Sequence, residues 1–309
     1  MTRLEGPSEG AALDSLLERE RLRVDEALAG AAADALANMS GPLREPLEYA
    51  LSTSGKRLRP ILFLAAYRAV APTADPLPEA VYRLACAAEI VHTYSLVHDD
   101  LPCMDDDDLR RGRPTVHRVH GVAHAMLAGA ALLPLAMELI VRESRALGLP
   151  PERAALLVRE LCRAAGADGM VGGQLLDLEA ERREVDTAAL EAIHRAKTGA
   201  LLTASLRLGA LAGGASHDAL AALSRYGEAL GLAFQIADDI LDVTGDAASL
   251  GKIAGRDHEL RKASYPSVHG LDGARALARK AAEEAKAALG ELRSEELVAL
   301  ADYVVERRS

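Results

Sequence analysis

Apolar residues recur at helical spacing along most of this chain, and the pattern is clear from its start. Between residues 11 and 38, Leu13, Leu17, Val24 and Leu28 share one face of a helix with a period of about 3.6 residues. Breaks that contain glycine, proline or serine separate further segments of the same kind. The predicted helices span residues 11–38, 43–51, 60–70, 79–97, 119–147, 151–165, 186–212, 217–243, 272–290 and 294–306.

No sustained run of alternating, β-branched residues indicates a strand. Half of the 309 residues are hydrophobic, whereas aromatic residues make up only 3% and tryptophan is absent. Alanine and leucine therefore supply most of the core, which favours helices. We expect an all-α fold, with residues 1–309 forming one domain of roughly ten helices that obeys the packing rules of helical bundles.

Charge and cysteine content narrow the class of protein. A net charge of −10 argues against non-specific binding to nucleic acid, and the sequence has no basic stripe with interleaved aromatic residues. The three cysteines, Cys86, Cys103 and Cys162, are widely spaced. An odd, scattered set of this kind favours reduced thiols in the core over a disulfide framework.

The most apolar stretch, residues 125–141, contains Pro134 and Glu138 and is short for a membrane span. It is interpreted as a core helix. The first ten residues lack the apolar centre of a signal peptide. We therefore expect a cytoplasmic protein with no membrane span.

An acidic segment follows the helix predicted at residues 79–97. Six aspartates lie between Asp99 and Asp108, and Arg110 and Arg111 come directly after them. Like charges at contact distance repel, so a divalent cation would stabilise such a cluster, and its oxygen ligands suit Mg²⁺ or Ca²⁺. Guanidinium groups match phosphate oxygens. The segment thus indicates a diphosphate bound through a metal, and the alternative interpretation is a solvated acidic loop.

A second cluster, Asp238, Asp239 and Asp242, lies within a helical pattern rich in Ile, Ala and Leu. At about 100° per residue, Asp238 and Asp242 share one face and Asp239 lies beside them. Partly buried carboxylates are costly unless they are compensated, and metal coordination is one way to compensate them. The two clusters together favour a diphosphate held between two sets of carboxylates.

The first cluster needs a turn in the chain. On an unbroken helix, Asp99 and Asp105 would lie about 240° apart. Pro102 predicts that the helix ends or bulges near it, so that the later aspartates fold back towards Asp99.

Further motifs accompany the two clusters in a fixed order. They are GKRLRP at 55–60, EIVHTYSLVHDD at 89–100, DDLPCMDDDDLRRG at 99–112, GQLLDL at 173–178, KTG at 197–199, FQIADDILD at 234–242, LGK at 250–252 and SYP at 264–266. From about residue 47 onward, the chain resembles the trans-isoprenyl diphosphate synthases, or polyprenyl synthetases, and in particular their bacterial farnesyl diphosphate synthases.

The resemblance implies a bundle of helices around a central substrate cavity, the isoprenoid synthase type. It also implies the condensation of an allylic diphosphate (dimethylallyl or geranyl) with isopentenyl diphosphate, without a protein nucleophile. Three Mg²⁺ ions, with Mn²⁺ as a possible substitute, and a homodimer are implied as well. The implied metal ligands are Asp99, Asp100, Asp105, Asp238, Asp239 and Asp242.

The same resemblance assigns the remaining site residues. The implied ligands of the allylic diphosphate are Arg110, Lys197, Thr198, Gln235, Lys252 and Lys262. The implied ligands of isopentenyl diphosphate are Lys56, Arg59, His92 and Arg111, and Arg307 matches a C-terminal arginine that closes over this substrate. Gln235 and Asp177 match polar groups that support the metals and Lys197. The implied catalytic set is Asp99, Asp100, Asp105, Arg110, Lys197, Asp238, Asp239 and Lys252.

In the family, the residues five and four positions before the first aspartate form the floor of the hydrocarbon pocket. Here they are Tyr94 and Ser95, about 7.5 and 6 Å along a helix from Asp99. An aromatic residue there limits elongation, so the resemblance implies a C15 product, farnesyl diphosphate. Geranylgeranyl diphosphate (C20) is the alternative.

Two other classes of protein share parts of this pattern. A class I terpene cyclase also binds a prenyl diphosphate through Mg²⁺, but such enzymes usually keep one DDxxD-like motif and are rich in aromatic residues, of which this chain has nine. A non-catalytic helical protein could bind cations at the clusters alone. Such a protein would not need the basic residues that accompany the clusters, which are Lys56, Arg59, Arg110 and Arg111.

Overall fold

Segments rich in alanine and leucine form nearly all of the predicted helices. The computed structural model describes residues 9–71, 75–180, 185–244 and 264–307. The α-helices are α1 (Glu9–Leu36), α2 (Arg44–Leu51), α3 (Leu58–Val70), α4 (Glu79–Asp99), α5 (Val116–His120), α6 (Val122–Ala146), α7 (Pro151–Ala165), α8 (Met170–Ala180), α9 (Thr187–His194), α10 (Ala200–Ala212), α11 (His217–Thr244), α12 (Tyr265–Ala288) and α13 (Glu295–Glu306).

The all-α prediction is confirmed, and the differences are local. Strands β1 (Leu109–Arg110) and β2 (Arg113–Pro114) form a two-residue antiparallel ladder, too short to leave an alternating pattern. Gly121 adopts a φ of 86° and divides the predicted helix at 119–147 into α5 and α6. A π-helical turn, Arg195–Gly199, separates α9 from α10.

Two helix predictions were incomplete. The segment that forms α8 was not predicted as a helix, because Gly172 and Gly173 weaken its pattern. The helix predicted at 272–290 begins earlier, at Tyr265, where Ser264 and Ser267 form a capping box. It is kinked at Gly270, which has a φ of 70°.

The core is organised around α4, whose apolar residues are almost all buried and which contacts α1, α3, α6 and α10. Helices α3 and α10 approach closely at Gly209, where a Cβ atom would lie 2.1 Å from the carbonyl oxygen of Phe63. Because α3 and α10 both contact α4, their close packing helps to hold α4, and Asp99 at its end, in place.

Helix α6 is long and apolar enough to cross a membrane by composition, and 39% of its most apolar window is buried. It is the only such helix in the described part of the chain, and a helix that packs in a protein core gives the same signal. The cysteines are unpaired. Core packing is confirmed for Cys86, but it is wrong for Cys103 and Cys162, which are exposed.

Candidate active site

The first aspartate cluster lies where α4 ends. Asp99 is the last residue of α4, and the chain then turns so that the Asp105 N–H donates to the carbonyl oxygen of Asp99 at 2.9 Å. The Asp106 N–H bonds the Leu101 carbonyl at 3.1 Å, and Asp106 has a left-handed φ of 48°. This turn brings Asp105 back beside Asp99, as Pro102 predicted.

Arg110 ties the acidic segment together. Its Nε donates to Asp100 at 2.8 Å and its Nη2 to Asp107 at 2.7 Å, and all three side chains are buried. The ladder between β1 and β2 holds Arg110 in this position. The structure therefore gives Arg110 two carboxylate partners in the protein, and the role of allylic diphosphate ligand stays a prediction.

The second cluster lies near the C-terminal end of α11, and its members differ in environment. Asp239 is buried and accepts hydrogen bonds from Gln235 Nε2 at 3.1 Å and from the Tyr265 N–H at 2.9 Å. His194 Nε2 lies 3.4 Å from the same carboxylate. The side chain of Asp238 is 43% exposed and accepts a hydrogen bond from Arg307, whose guanidinium covers the ring of Phe234.

Lys197 lies in the π-helical turn, between the two clusters in sequence. Its Nζ is 2.6 Å from Asp177 Oδ2, and the neighbouring Thr198 hydroxyl donates to Gln235 Oε1 at 2.8 Å. Gly173 allows α8 to approach the π-helical turn closely, because a Cβ atom at this position would lie 2.2 Å from the backbone nitrogen of Lys197. Asp177 is thus a protein partner of Lys197, and the supporting role that the resemblance implies for it stays a prediction.

A basic cluster made of Lys56, Arg59, His92 and Arg111 lies beside the acidic ones. Burial lowers the pKa of Arg59 to about 10, an effect that the nearby carboxylate of Glu89 opposes and Arg111 reinforces. Burial, and then the charges of Arg59 and Arg111, lowers the pKa of His92 well below its usual range. Burial, followed by the charge of Arg307, also lowers the pKa of Lys56.

This cluster carries the signs of a site for an anion. In the described part of the chain, the buried Nε of Arg59 has no hydrogen-bond partner. Arg111 adopts a φ of 53°, and its guanidinium donates to the Ser54 carbonyl. Gly55 leaves room for that guanidinium, since a Cβ atom there would lie 2.5 Å from Arg111 Nη1. A bound phosphate would offset the mutual repulsion of these cations.

Sequence reasoning missed a buried ion pair beneath the basic cluster. Arg57 donates from Nη1 to Glu89 at 3.0 Å, from Nε to Asp25 at 2.7 Å and from Nη2 to the Thr53 carbonyl at 2.6 Å. Arg57 occupies the N-cap position of α3 and has a left-handed φ of 53°. The available signal was Glu89 itself, a lone carboxylate on the apolar stretch of α4, three residues before His92.

Two adjoining cavities bring most of the predicted residues together. The larger, of about 800 Å³, is lined by the basic cluster, by Asp105 and by the second aspartate cluster. The other, of about 570 Å³, is lined by Asp99, Tyr94 and Ser95 and by apolar residues of α8. Residues that line both are Arg59, His92, Lys197, Phe234 and Asp238.

Some predicted residues lie elsewhere. Asp100 and Arg110 line a small cavity of about 30 Å³ on the other side of Arg111, and neither lines the two large ones. Lys252 and Lys262 lie outside the described residues.

The carboxylates fit a metal shared with a ligand. Among the described residues, no group of three or more His, Cys, Asp or Glu side chains is arranged to hold a metal ion by itself. Mg²⁺ usually takes one or two carboxylates together with phosphate and water oxygens. Burial raises the pKa of Asp99 to about 6, with Asp105 adding to the effect and Lys197 opposing it. A cation at this point would stabilise the ionised form of Asp99.

Comparison with known proteins agrees with the site. Residues 41–301 match the polyprenyl synthetase family. The chain is 46% identical over 272 residues to farnesyl diphosphate synthase of Escherichia coli, covering 86% of this chain and 89% of that protein. It is 43% identical over 280 residues to a geranylgeranyl pyrophosphate synthase large subunit of Arabidopsis thaliana, covering 87% and 74%.

A solved structure shares the fold. It is a geranyltransferase from Helicobacter pylori in complex with magnesium and isoprenyl diphosphate, 30% identical, with a TM-score of 0.79 and coverage of 98% of both chains. With the family match over most of its length and the aspartate clusters in one pair of cavities, the chain belongs to the polyprenyl synthetase family.

Proposed function

We propose that this protein condenses an allylic diphosphate, dimethylallyl or geranyl, with isopentenyl diphosphate to give farnesyl diphosphate. The observation that carries the proposal is the pair of adjoining cavities. Carboxylates and cations line the first, and the second continues from Asp99 into an apolar pocket. A diphosphate head and a hydrocarbon tail require this combination. The family match supports a prenyltransferase of this kind.

We assign different roles to the six aspartates. Asp99, Asp105, Asp238 and Asp242 line the large cavities and are suited to hold Mg²⁺ directly. Asp239 also lines the larger cavity, but it is buried, as is Asp100, and both accept hydrogen bonds from protein groups. We therefore propose that these two aspartates orient the cluster. We propose three Mg²⁺ ions, as the resemblance implies, with Mn²⁺ as a substitute. When bound, Mg²⁺ offsets the negative charge that pyrophosphate acquires as it leaves.

The side chains of the protein bind and orient the two substrates. Lys197, held by Asp177, contributes positive charge where the carbon–oxygen bond of the allylic substrate breaks. Lys56, Arg59, His92 and Arg111 bind the diphosphate of isopentenyl diphosphate, whose double bond then attacks the allylic cation. The new carbon–carbon bond forms as pyrophosphate departs, and a proton is lost from the isopentenyl unit. Departing pyrophosphate is the base that we propose.

We propose that Tyr94 limits the length of the product. It is half-buried on the wall of the apolar pocket, five residues before Asp99, which is about 7.5 Å along α4. The similarity to the E. coli farnesyl diphosphate synthase favours a C15 product. Because the chain is also similar to the plant geranylgeranyl pyrophosphate synthase subunit, a C20 product is the alternative.

We further propose that the protein is a cytoplasmic homodimer. Val119, Val122, Met126 and Leu127 are each about half exposed on α5 and α6, and exposed apolar side chains that lie close together in sequence favour a second copy as their partner. The unpaired cysteines agree with a reducing compartment. Light scattering of the purified protein should give twice the chain mass of 32.6 kDa. A monomer at micromolar concentration would contradict the dimer.

One assay tests the proposed function. The protein is incubated with Mg²⁺, dimethylallyl diphosphate and labelled isopentenyl diphosphate, and the products are extracted and sized. A C15 product is expected. Cyclic hydrocarbons would indicate a terpene cyclase, and Mg²⁺ binding without any product would indicate a non-catalytic protein. A C20 product would contradict only the assignment of chain length.

A further inference from the structure

The wall of the apolar pocket has a second ring beside Tyr94. The ring of Tyr94 meets the edge of His98 with ring centroids 4.7 Å apart and an interplanar angle of 63°. The two residues are four apart on α4, so they lie on the same face of the helix. Both line the 570 Å³ cavity. The imidazole therefore occupies space into which the phenol ring would otherwise rotate.

His98 is fixed in turn by α6. Its Nε2 lies 3.0 Å from the carbonyl oxygen of Met126. A carbonyl oxygen only accepts hydrogen bonds, so Nε2 carries the proton and donates it. The hydrogen bond joins α4 to α6 and sets the plane of the imidazole ring.

The imidazole ring of His98 packs against Gly129. This glycine is buried on α6, and a Cβ atom added to it would lie 2.4 Å from both Cδ2 and Nε2 of His98. The backbone of Gly129 has an ordinary helical conformation, so an alanine there would be favourable for the helix itself. The space that glycine leaves is used by the imidazole. Tyr94, His98 and Gly129 thus form a continuous stack from the pocket wall to α6.

We propose that His98 and Gly129 determine product length by holding Tyr94 across the pocket, with His98 as a positioning residue. This proposal rests on the proposed function and deepens it. If the imidazole is removed or displaced, the phenol ring can turn towards α6 and the pocket lengthens beyond Tyr94. The enzyme would then accept farnesyl diphosphate as an allylic substrate and add one more isopentenyl unit. The bonds formed and broken are those of the same condensation.

The test measures the ratio of C20 to C15 product in five variants, with the wild type as reference. Tyr94→Ala shows the effect of removing the side chain that limits product length. His98→Ala removes the imidazole that holds Tyr94, and Gly129→Ala displaces that imidazole, while both variants keep Tyr94. Ala130→Ser, on the exposed side of α6 next to Gly129, is the matched control. The ratio is compared at equal consumption of isopentenyl diphosphate, so that a difference in the amount of active enzyme, such as a loss of stability would cause, does not change it.

We expect the ratio to rise in Tyr94→Ala, His98→Ala and Gly129→Ala and to stay at the wild-type value in Ala130→Ser. An aromatic pair in this geometry biases a side-chain equilibrium roughly twofold to tenfold, which sets the size of the rise in the two support variants. Replacing His98 by Gln, whose amide also donates a hydrogen bond, should return part of the C15 product.

A wild-type ratio in Gly129→Ala would overturn the proposal, whatever the activity of His98→Ala, because Gly129 contacts His98 and lines neither large cavity. An unchanged ratio in Tyr94→Ala would overturn it as well. Both results differ from failure of the proposed function, in which the wild type itself forms no condensation product.

Discussion

The ion pair between Arg57 and Glu89 gives the sharpest prediction about stability. The carboxylate of Glu89 is 2% exposed, and Arg57 is 6% exposed. Glu89 also opposes the lowering of pKa that burial imposes on Arg59 and Arg111. Glu89→Ala would leave one guanidinium nitrogen of Arg57 without its acceptor and would take a carboxylate away from a group of buried cations.

The size of the effect follows from the contacts that remain. Removing one partner of a buried pair costs about 3–5 kcal/mol. Arg57 would keep its hydrogen bonds to Asp25 and to the Thr53 carbonyl, so the lower end of that range applies. We therefore expect Glu89→Ala to lower the free energy of unfolding by about 3 kcal/mol. For a protein of this size, that corresponds to a fall in Tm of about 5 °C.

Urea unfolding followed by helical circular dichroism measures this change. Glu79→Ala is the matched control, because Glu79 is on the same helix and bonds Arg83 at 2.8 Å, but its side chain is 72% exposed. An exposed pair contributes about 0–1 kcal/mol. Glu89→Gln, which keeps an acceptor without the charge, should fall between the two. If Glu89→Ala were as stable as Glu79→Ala, the buried pair would have no such role.

Four further substitutions test other parts of the site and fold. Asp99→Ala and Asp238→Ala should each remove most of the condensation activity while the helical circular dichroism signal stays intact, because the metal loses a ligand; near-normal turnover in both would refute the two-cluster site. Arg307→Ala should raise KM for isopentenyl diphosphate by roughly tenfold, the loss of one charge-assisted hydrogen bond, and change kcat less. An unchanged KM would contradict its role as a substrate contact. Gly209→Ala should destabilise the protein by about 1–3 kcal/mol, since its Cβ atom would meet the carbonyl oxygen of Phe63. Wild-type stability in urea would show that α3 and α10 can separate without cost.

Long helices with a regular apolar face were predictable from the sequence. The helices predicted at 79–97 and 217–243 are observed as Glu79–Asp99 and His217–Thr244. The end of α4 was predictable as well, because Pro102 prevents the helix from continuing through the acidic segment. These features depend on local spacing and on single residues with strong conformational preferences.

Other features depend on contacts between distant segments. Helix α8 contains Gly172 and Gly173, whose low helix propensity concealed it, yet Gly173 is what allows α8 to approach Lys197. The difference between Asp99, which lines the pocket, and Asp100, which faces Arg110, is also invisible in a run of identical letters. Only the direction of each side chain separates them.

The most direct test of the two-cluster site is the binding of an unreactive allylic diphosphate analogue, geranyl S-thiolodiphosphate, with and without Mg²⁺. Isothermal titration calorimetry on the wild type, Asp99→Asn and Asp238→Asn measures the affinity. We predict that binding requires Mg²⁺ and weakens by at least about tenfold in each variant, which corresponds to about 1.4 kcal/mol. Equal affinity of the wild type with and without Mg²⁺ would contradict the proposal that the two aspartate clusters hold one diphosphate through the metal. Wild-type affinity in both variants would contradict it as well.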